Sequence, residues 1–473
     1  MRLLLIILLA WSLTACSSDG GGYFIWGNSI SGHVTASGAP LAGVTVSLAG
    51  AATGTTTTDD GGAFRFSDLK NGAYSVSPAK TGQLFTPAAL PVAISSTSFS
   101  AANFTASPAP PTTAIQLPRT GQTLTYKAGD DGALQKGVAW PDPRFSDTGD
   151  GTVTDKLTGL VWLKDASCLG KKTWVDALAA ANGMATGACG LSDGSKSGDW
   201  RLPNINELNS LISISRWNQA VGPMQLAGSS SDNPFSKTAN VNYWSSTTNA
   251  SLTSQAWSVN LLFGLVTSYF KKGAFIVWPV RDGSSATGAV RLPRTGQTFS
   301  YAAGDDGYHQ KGAAWPNPRF TDNGAGAVTD NLTRLVWLKN TNCLDTAGGI
   351  KRVKPNVFSV LYYYEAIPWV GGLASGACGL SDNSRSGDWR LPNRLEMLSL
   401  MDYGRSNPAL PAGHPFDKVQ LTWVWTSSTL SYNIVGPTAN ASWVAHPASG
   451  SLNTATASTN NQANLWVVRD GAP

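Results

Sequence analysis

The alternation of apolar and polar residues changes character along the chain. Residues 29–106 alternate at short strand length, as in ISGHVTASG, AGVTVSLAG, GAFRFSDL and GAYSVSPAK, with Gly, Asp and Asn turns between them. A period of two, broken every eight to twelve residues by turn formers, predicts a β-sandwich. Further on, Gly151 to Asp155 and Thr158 to Trp162 predict a turn leading into a buried strand. Thr173 to Ala181 is a run of good helix formers, and in the corresponding place of a second copy stands Val357 to Ala366, after a basic insertion around Lys351. Asn204 and Asn393 are each followed three residues later by a glutamate, Glu207 and Glu396. That spacing predicts a capping box at the start of a second helix in each copy.

The two copies are the chain's dominant feature. Leu117 to Cys168 returns without a gap as Leu292 to Cys343, 175 residues on. Beyond the cysteines the landmarks persist while spacers vary: GACGLSDGSKSGDWRLPN against GACGLSDNSRSGDWRLPN, WSSTT against WTSST, and a closing VRDG. Such a period is far longer than a solenoid repeat, so each copy is expected to carry its own core, the two sitting in tandem. The domains so delimited are 116–283 and 291–473, with a short linker at 284–290 and a Pro-rich linker at 107–115 separating them from the sandwich.

At the N-terminus, Arg2 precedes an apolar run from Leu3 to Leu9, too short to span a bilayer. Leu13-Thr14-Ala15-Cys16 resembles a bacterial lipobox, which implies a signal peptide over 1–15, a lipid on Cys16 and a polar tether over 16–28. The expected location is the bacterial envelope, by way of the outer membrane or cell surface, with the lipid on Cys16 as the membrane attachment. Setting Cys16 aside leaves Cys168 with Cys189 in one copy and Cys343 with Cys378 in the other. One pair per copy predicts two disulfides in an oxidising compartment, each contributing roughly 3 to 4 kcal/mol in the chain-entropy treatment.

With 13% charged residues, 50 Gly and 18 Trp, the 473-residue chain reads as loop-rich β structure of an exported protein. A net charge of +5 is mild for this length and gives no basic face of the kind nucleic acid requires.

Two resemblances sharpen the picture. The segment from APLAGVTVSLAG through GAYSVSPAKTG is similar to carboxypeptidase regulatory-like modules, which implies a transthyretin-like spacer or stalk. The series FSDTGDGTVTDKLTGLVWLKDASC, GDWRLPNINEL, YWSSTT, AWSVN and WPVRDG resembles the Lcl C-terminal domain family, and the second copy carries the same series. That resemblance implies two α+β, C-type-lectin-like domains behind the all-β sandwich. It also implies adhesion: the family's named member is a trimeric collagen-like adhesin that binds sulfated glycosaminoglycans. This chain has no Gly-X-Y tract, so its oligomeric state stays open.

The expected function is therefore an anchored binding protein or adhesin for a glycan, sulfated or acidic, or for a surface protein. Candidate contacts are Trp244, Trp257, Tyr269, Lys271 and Lys272 in the first copy, and Lys351, Arg352, Lys354, Trp425 and Trp443 in the second. Indole faces stack on sugars and cations meet sulfate or carboxylate, while core packing is the competing role for each recurring tryptophan. A structural or assembly role in the envelope shares every feature but the ligand. An enzyme of the formylglycine-generating kind would need a reactive cysteine pair, and both pairs here fit bridges; no catalytic residue or cofactor is expected. Asp147, Asp150 and Asp155 space oxygens somewhat like a calcium loop, and the second copy lacks the middle carboxylate. An Asx-type turn explains the same residues, so no metal is assigned. Arg281 and Arg469 in the closing VRDG read as ion-pair or turn residues.

Overall fold

The computed structural model describes residues 27–36, 38–80, 83–87, 89–108, 114–214, 233–239, 241–283, 288–343, 360–430, 441–456 and 462–471. They form two compact units that divide at Ala109 and Pro110, and each is treated by itself.

The first unit is the β-sandwich that the alternation predicts. One sheet is ordered Ala39–Pro40, Asn28–Ala36, Phe104–Pro108 and Gln83–Thr86, with Ala63–Leu69 also pairing along Asn28–Ala36. The other is ordered Gly54–Thr57, Thr45–Gly50, Gly72–Ala79 and Leu90–Ile94. Period two puts Phe64 and Phe66 inside and leaves Arg65 in solvent, and the same rule buries Val46 and Leu48, then Tyr74 and Val76. These side chains, with Ile30, Val34, Val92 and Phe104, fill the space between the sheets.

The second unit holds both copies. In each, three short strands and the closing VRDG strand make a four-stranded sheet: Phe145–Asp147, Thr152–Asp155, Leu160–Leu163 and Val280–Asp282 in the first, with Phe320–Asp322, Ala327–Asp330, Val336–Leu338 and Val468–Arg469 matching. Gly151, at a φ of +86°, lies so close to Gly190 that a Cβ would stand 2.4 Å from its carbonyl oxygen; Gly326 repeats the arrangement with Gly379. Only glycine fits there, which explains why both motifs recur together.

The helices are short: α1 (Asp131–Leu134), α2 (Trp174–Asn182), α3 (Ile205–Ser210), α4 (Asp306–His309), α5 (Tyr363–Gly371) and α6 (Arg394–Ser399). Both predicted capping boxes form, at Asn204 with Glu207 and at Asn393 with Glu396. The counterpart of α2 in the second copy is α5, which begins at Tyr363, within the Val357–Ala366 stretch, after a short strand at Val360–Tyr362. Tyr363 takes the place of Trp174: its hydroxyl donates to the Ser427 carbonyl at 3.1 Å, as the Trp174 indole does to that of Ser245 at 2.8 Å.

The copies do not sit in tandem with separate cores. Strand Leu265–Phe270 of the first pairs antiparallel with Ser451–Thr456 of the second, Val266 opposite Leu452. The result is one ten-stranded sheet running through both copies. A single apolar cluster joins Trp162, Trp257 and Trp278 to Trp337, Tyr403, Trp443 and Trp466, with a smaller private cluster on each side. Across the seam, Arg394 of α6 donates to Asn209 of α3 and to the Gly264 carbonyl.

The copies also exchange their leading arms, residues 114–138 and 289–313. The Ile115 N–H donates to the Leu332 carbonyl and the Val290 N–H to that of Leu157, each at 2.9 Å. Gln122 clamps Thr429, and Gln297 clamps Thr248 through its N–H at 3.0 Å and its carbonyl at 2.9 Å. The Asp131 carboxyl receives Thr120 from its own copy and Ser428 from the other, both at 2.6 Å. Asp306 repeats this with Thr295 and Thr247. Each arm begins in one copy and docks on the sheet of the other, an internal version of a two-fold interface.

Candidate ligand-binding face

The exchange has a local consequence at the end of strand Leu265–Phe270. The chain turns there through Lys271, Lys272 and Gly273, with the Gly273 N–H donating to the Phe270 carbonyl. The Lys271 carbonyl accepts from the Trp174 N–H at 2.9 Å, tying the turn to the start of α2. Its ammonium lies 3.9 Å from the centroid of the buried Trp174 ring and 5.2 Å from that of Tyr301. Tyr301 belongs to the second copy's arm, held by its N–H donating to the Asp305 carboxylate that caps α4.

Two groups of aromatic rings lie beside this lysine. Phe299 packs edge-on to Tyr301 at 4.9 Å, and Tyr269 edge-on to Phe275 at 4.9 Å. Phe275 in turn rests on the buried Trp244 at 4.5 Å. Phe299 is 67% exposed and Tyr269 38%, so a ring from each copy reaches solvent beside the lysine. Lys272 stands over Phe270. Burial pulls the Lys271 ammonium down to about 8, with Asp305 opposing the shift. Among the described residues it meets ring faces and no hydrogen-bond acceptor.

The structure thus brings together Tyr269, Lys271 and Lys272 of the expected contacts. Phe299 and Tyr301 were not among them, because they reach the site from an arm that follows it in sequence. A signal existed: where the arms otherwise repeat, Phe299 and Tyr308 replace Leu124 and Ala133.

The four tryptophans expected at the ligand go elsewhere. Trp244, Trp257, Trp425 and Trp443 are at most 1% exposed. Trp244 donates to the Lys172 carbonyl, Trp257 meets Tyr403, Trp425 meets Tyr363, and Trp443 lies beneath the Arg394 guanidinium. No ligand in solvent reaches a ring so enclosed, so their role is packing. Lys351, Arg352, Lys354 and Cys16 lie outside the described residues. On the second copy's corresponding face, Lys127 of the first arm stands 5.2 Å from the Tyr364 ring.

The remaining landmarks are structural. Cys168 is bonded to Cys189 and Cys343 to Cys378, with Cα separations of 5.8 and 5.3 Å. Glu207 receives both Arg201 nitrogens at 2.7 Å besides capping α3, and Glu396 does the same with Arg390. Both carboxylates are therefore spent on structure. Arg281 pairs with Asp193 and stacks on Trp200, as Arg469 does with Asp382 and Trp389. Asp155 is locked in a fork with buried Arg144, Asp147 with Lys164 and the Gly149 N–H, and Asp150 with Thr148 and Thr152. Their oxygens serve separate partners, the turn arrangement, and no metal-holding group forms among the described residues. Nor does any described helix have the length and apolarity to cross a membrane.

The Lcl C-terminal domain model matches residues 151–281 and 326–469, and the carboxypeptidase regulatory-like domain model matches residues 29–107. Both Lcl matches begin after the exchanged arms. No curated protein matches the chain.

Proposed function

The chain belongs to the Lcl C-terminal domain family, and from that premise we propose that it is a surface-displayed binding protein that recognises an anionic glycan on the face around Lys271. The observation that carries this reading is an ammonium held between two aromatic rings of different copies, with no hydrogen-bond acceptor among the described residues. Its three donors are open to sulfate or carboxylate oxygens, and the exposed rings of Phe299 and Tyr269 offer apolar faces for sugar stacking. The sandwich acts as a spacer and the lipid on Cys16 as the anchor, giving display at the envelope.

The test is calorimetric titration of the chain with a heparin-derived oligosaccharide and a desulfated counterpart. Lys271→Ala should weaken the sulfated ligand by about tenfold or more, the size of one charge-assisted contact. Tyr301→Ala should weaken it too, although Tyr301 lies in the other copy. Binding should also decline as pH rises through about 8, where Lys271 loses its charge. Affinity unchanged in both variants would refute the site, and equal affinity for the desulfated sugar would refute the ligand class.

A further inference from the structure

A second recess lies wholly within the second copy, between its arm and the loop that follows α6. It is a cavity of about 430 Å³, within the range of small-molecule sites, and its wall includes Arg294, Gln310, Trp315, Asp402 and Arg405. Three of these have polar capacity that the protein does not use. The Arg294 Nε is buried without a partner among the described residues. Its counterpart Arg119 donates instead to the Gly137 carbonyl and to Gln135. Asp402 is 6% exposed, and among the described residues its carboxylate accepts one bond, from the Gly404 N–H at 2.9 Å. Burial raises it to about 6. Arg405, in solvent at the rim, makes no side-chain ion pair among the described residues.

In the first copy Ser213 stands where the second has Asp402. Gly121 there abuts Ser213 and Trp140, whereas Gly296 abuts Asp402 and Trp315. Arg405 and Arg319 act on the Asp402 carboxylate through charge, yet neither donates a hydrogen bond to it among the described residues; a buried carboxylate short of donors is costly, and so is a buried guanidinium nitrogen without an acceptor. Two guanidiniums and one carboxylate around one space call for a ligand with an anionic end and a donor beside it. A neutral sugar would leave the arginines unmatched, and an inorganic anion would leave Asp402 facing like charge.

We infer that this cavity is a binding site for a small hydroxylated carboxylate of the sugar-acid class, its carboxylate between Arg294 and Arg405 and a hydroxyl donating to Asp402. The inference is independent of the face around Lys271.

Isothermal titration of the chain with glucuronate, with glucose and sulfate as comparators, tests it. Glucuronate should bind saturably at one site and more tightly than either comparator. Arg405→Ala, a change on an exposed side chain, should weaken glucuronate by about tenfold, the effect of losing one charge-assisted contact. Asp402→Ser, which installs the first copy's residue, should remove the preference over sulfate. In Lys271→Ala, which disables the other face, saturable glucuronate binding should persist, which separates the two sites. Absence of saturable binding, sulfate binding as tightly as glucuronate, full affinity in Arg405→Ala, or loss of all saturable binding in Lys271→Ala would each overturn the assignment.

Discussion

Replacing Gln297 by Met tests the arm exchange most directly. Methionine keeps the length of the side chain and removes both polar ends. In the native protein the amide satisfies the Thr248 N–H and carbonyl, and Thr248 is fully buried while Gln297 is 2% exposed. The variant leaves one donor and one acceptor without partners at a site closed to water, each costing about 1 to 3 kcal/mol. The expected loss is therefore roughly 2 to 6 kcal/mol, a large part of a domain's usual stability of about 5 to 15 kcal/mol. Gln122→Met acts on Thr429 at the other dock and shares no partner with the first, so the two losses should add. Urea unfolding followed by tryptophan fluorescence is the assay, because the sandwich from 29 to 108 contains no tryptophan and 16 of the chain's 18 tryptophans belong to the part that holds both copies. A fall below about 0.5 kcal/mol, the effect of an ordinary surface substitution, would refute the docking of the arm on the other copy.

Other consequences follow from the same interface. With a protease site placed between Gly283 and Gly288 and cut under native conditions, the halves should co-elute on size exclusion, since strand pairing, a shared core and both arms still hold them. Separation without denaturant would refute the shared body. Stability should also depend on pH in an uncommon direction. Burial raises Asp131 from 3.8 to about 6 and Asp306 from 3.8 to about 7, so the folded state holds protons that the unfolded state has released. Their contribution is full below 3.8 and is lost as pH rises through 6 to 7, so the urea midpoint should fall over that interval. In Asp131→Asn with Asp306→Asn that slope should flatten, and a slope unchanged in the double variant would assign it to other groups.

Much of the local structure was legible in the sequence because its causes are local. The capping boxes depend on residues three apart, the sandwich strands on alternate side chains, and the disulfides on a cysteine pair in each copy. The buried tryptophans were legible as landmarks, yet the sequence did not tell a packing indole from a binding one. Twelve tryptophans are less than 2% exposed, so recurrence marked the core. What escaped was the partner of each arm. The Thr120, Gln122 and Asp131 set recurs at Thr295, Gln297 and Asp306, and a repeated polar pattern looks the same whether it docks on its own copy or the other. Lys271 was visible as a cation, whereas the ring above it, Tyr301, belongs to a different copy and only the fold joins them.

The seam at Arg394 shows what joining the copies in one chain permits. In an association of identical chains, any residue beside the symmetry axis occurs twice, and a guanidinium placed there would face its own duplicate. Here α6 carries Arg394 while α3 has Ile205 at the matching position, so one charge crosses the seam and finds Asn209 and the Gly264 carbonyl waiting. Fusion frees each half to specialise: one arm has acquired Phe299 and Tyr308 where the other keeps Leu124 and Ala133. Asymmetry of that kind is open to a chain that contains its own partner and closed to one that must meet a copy of itself.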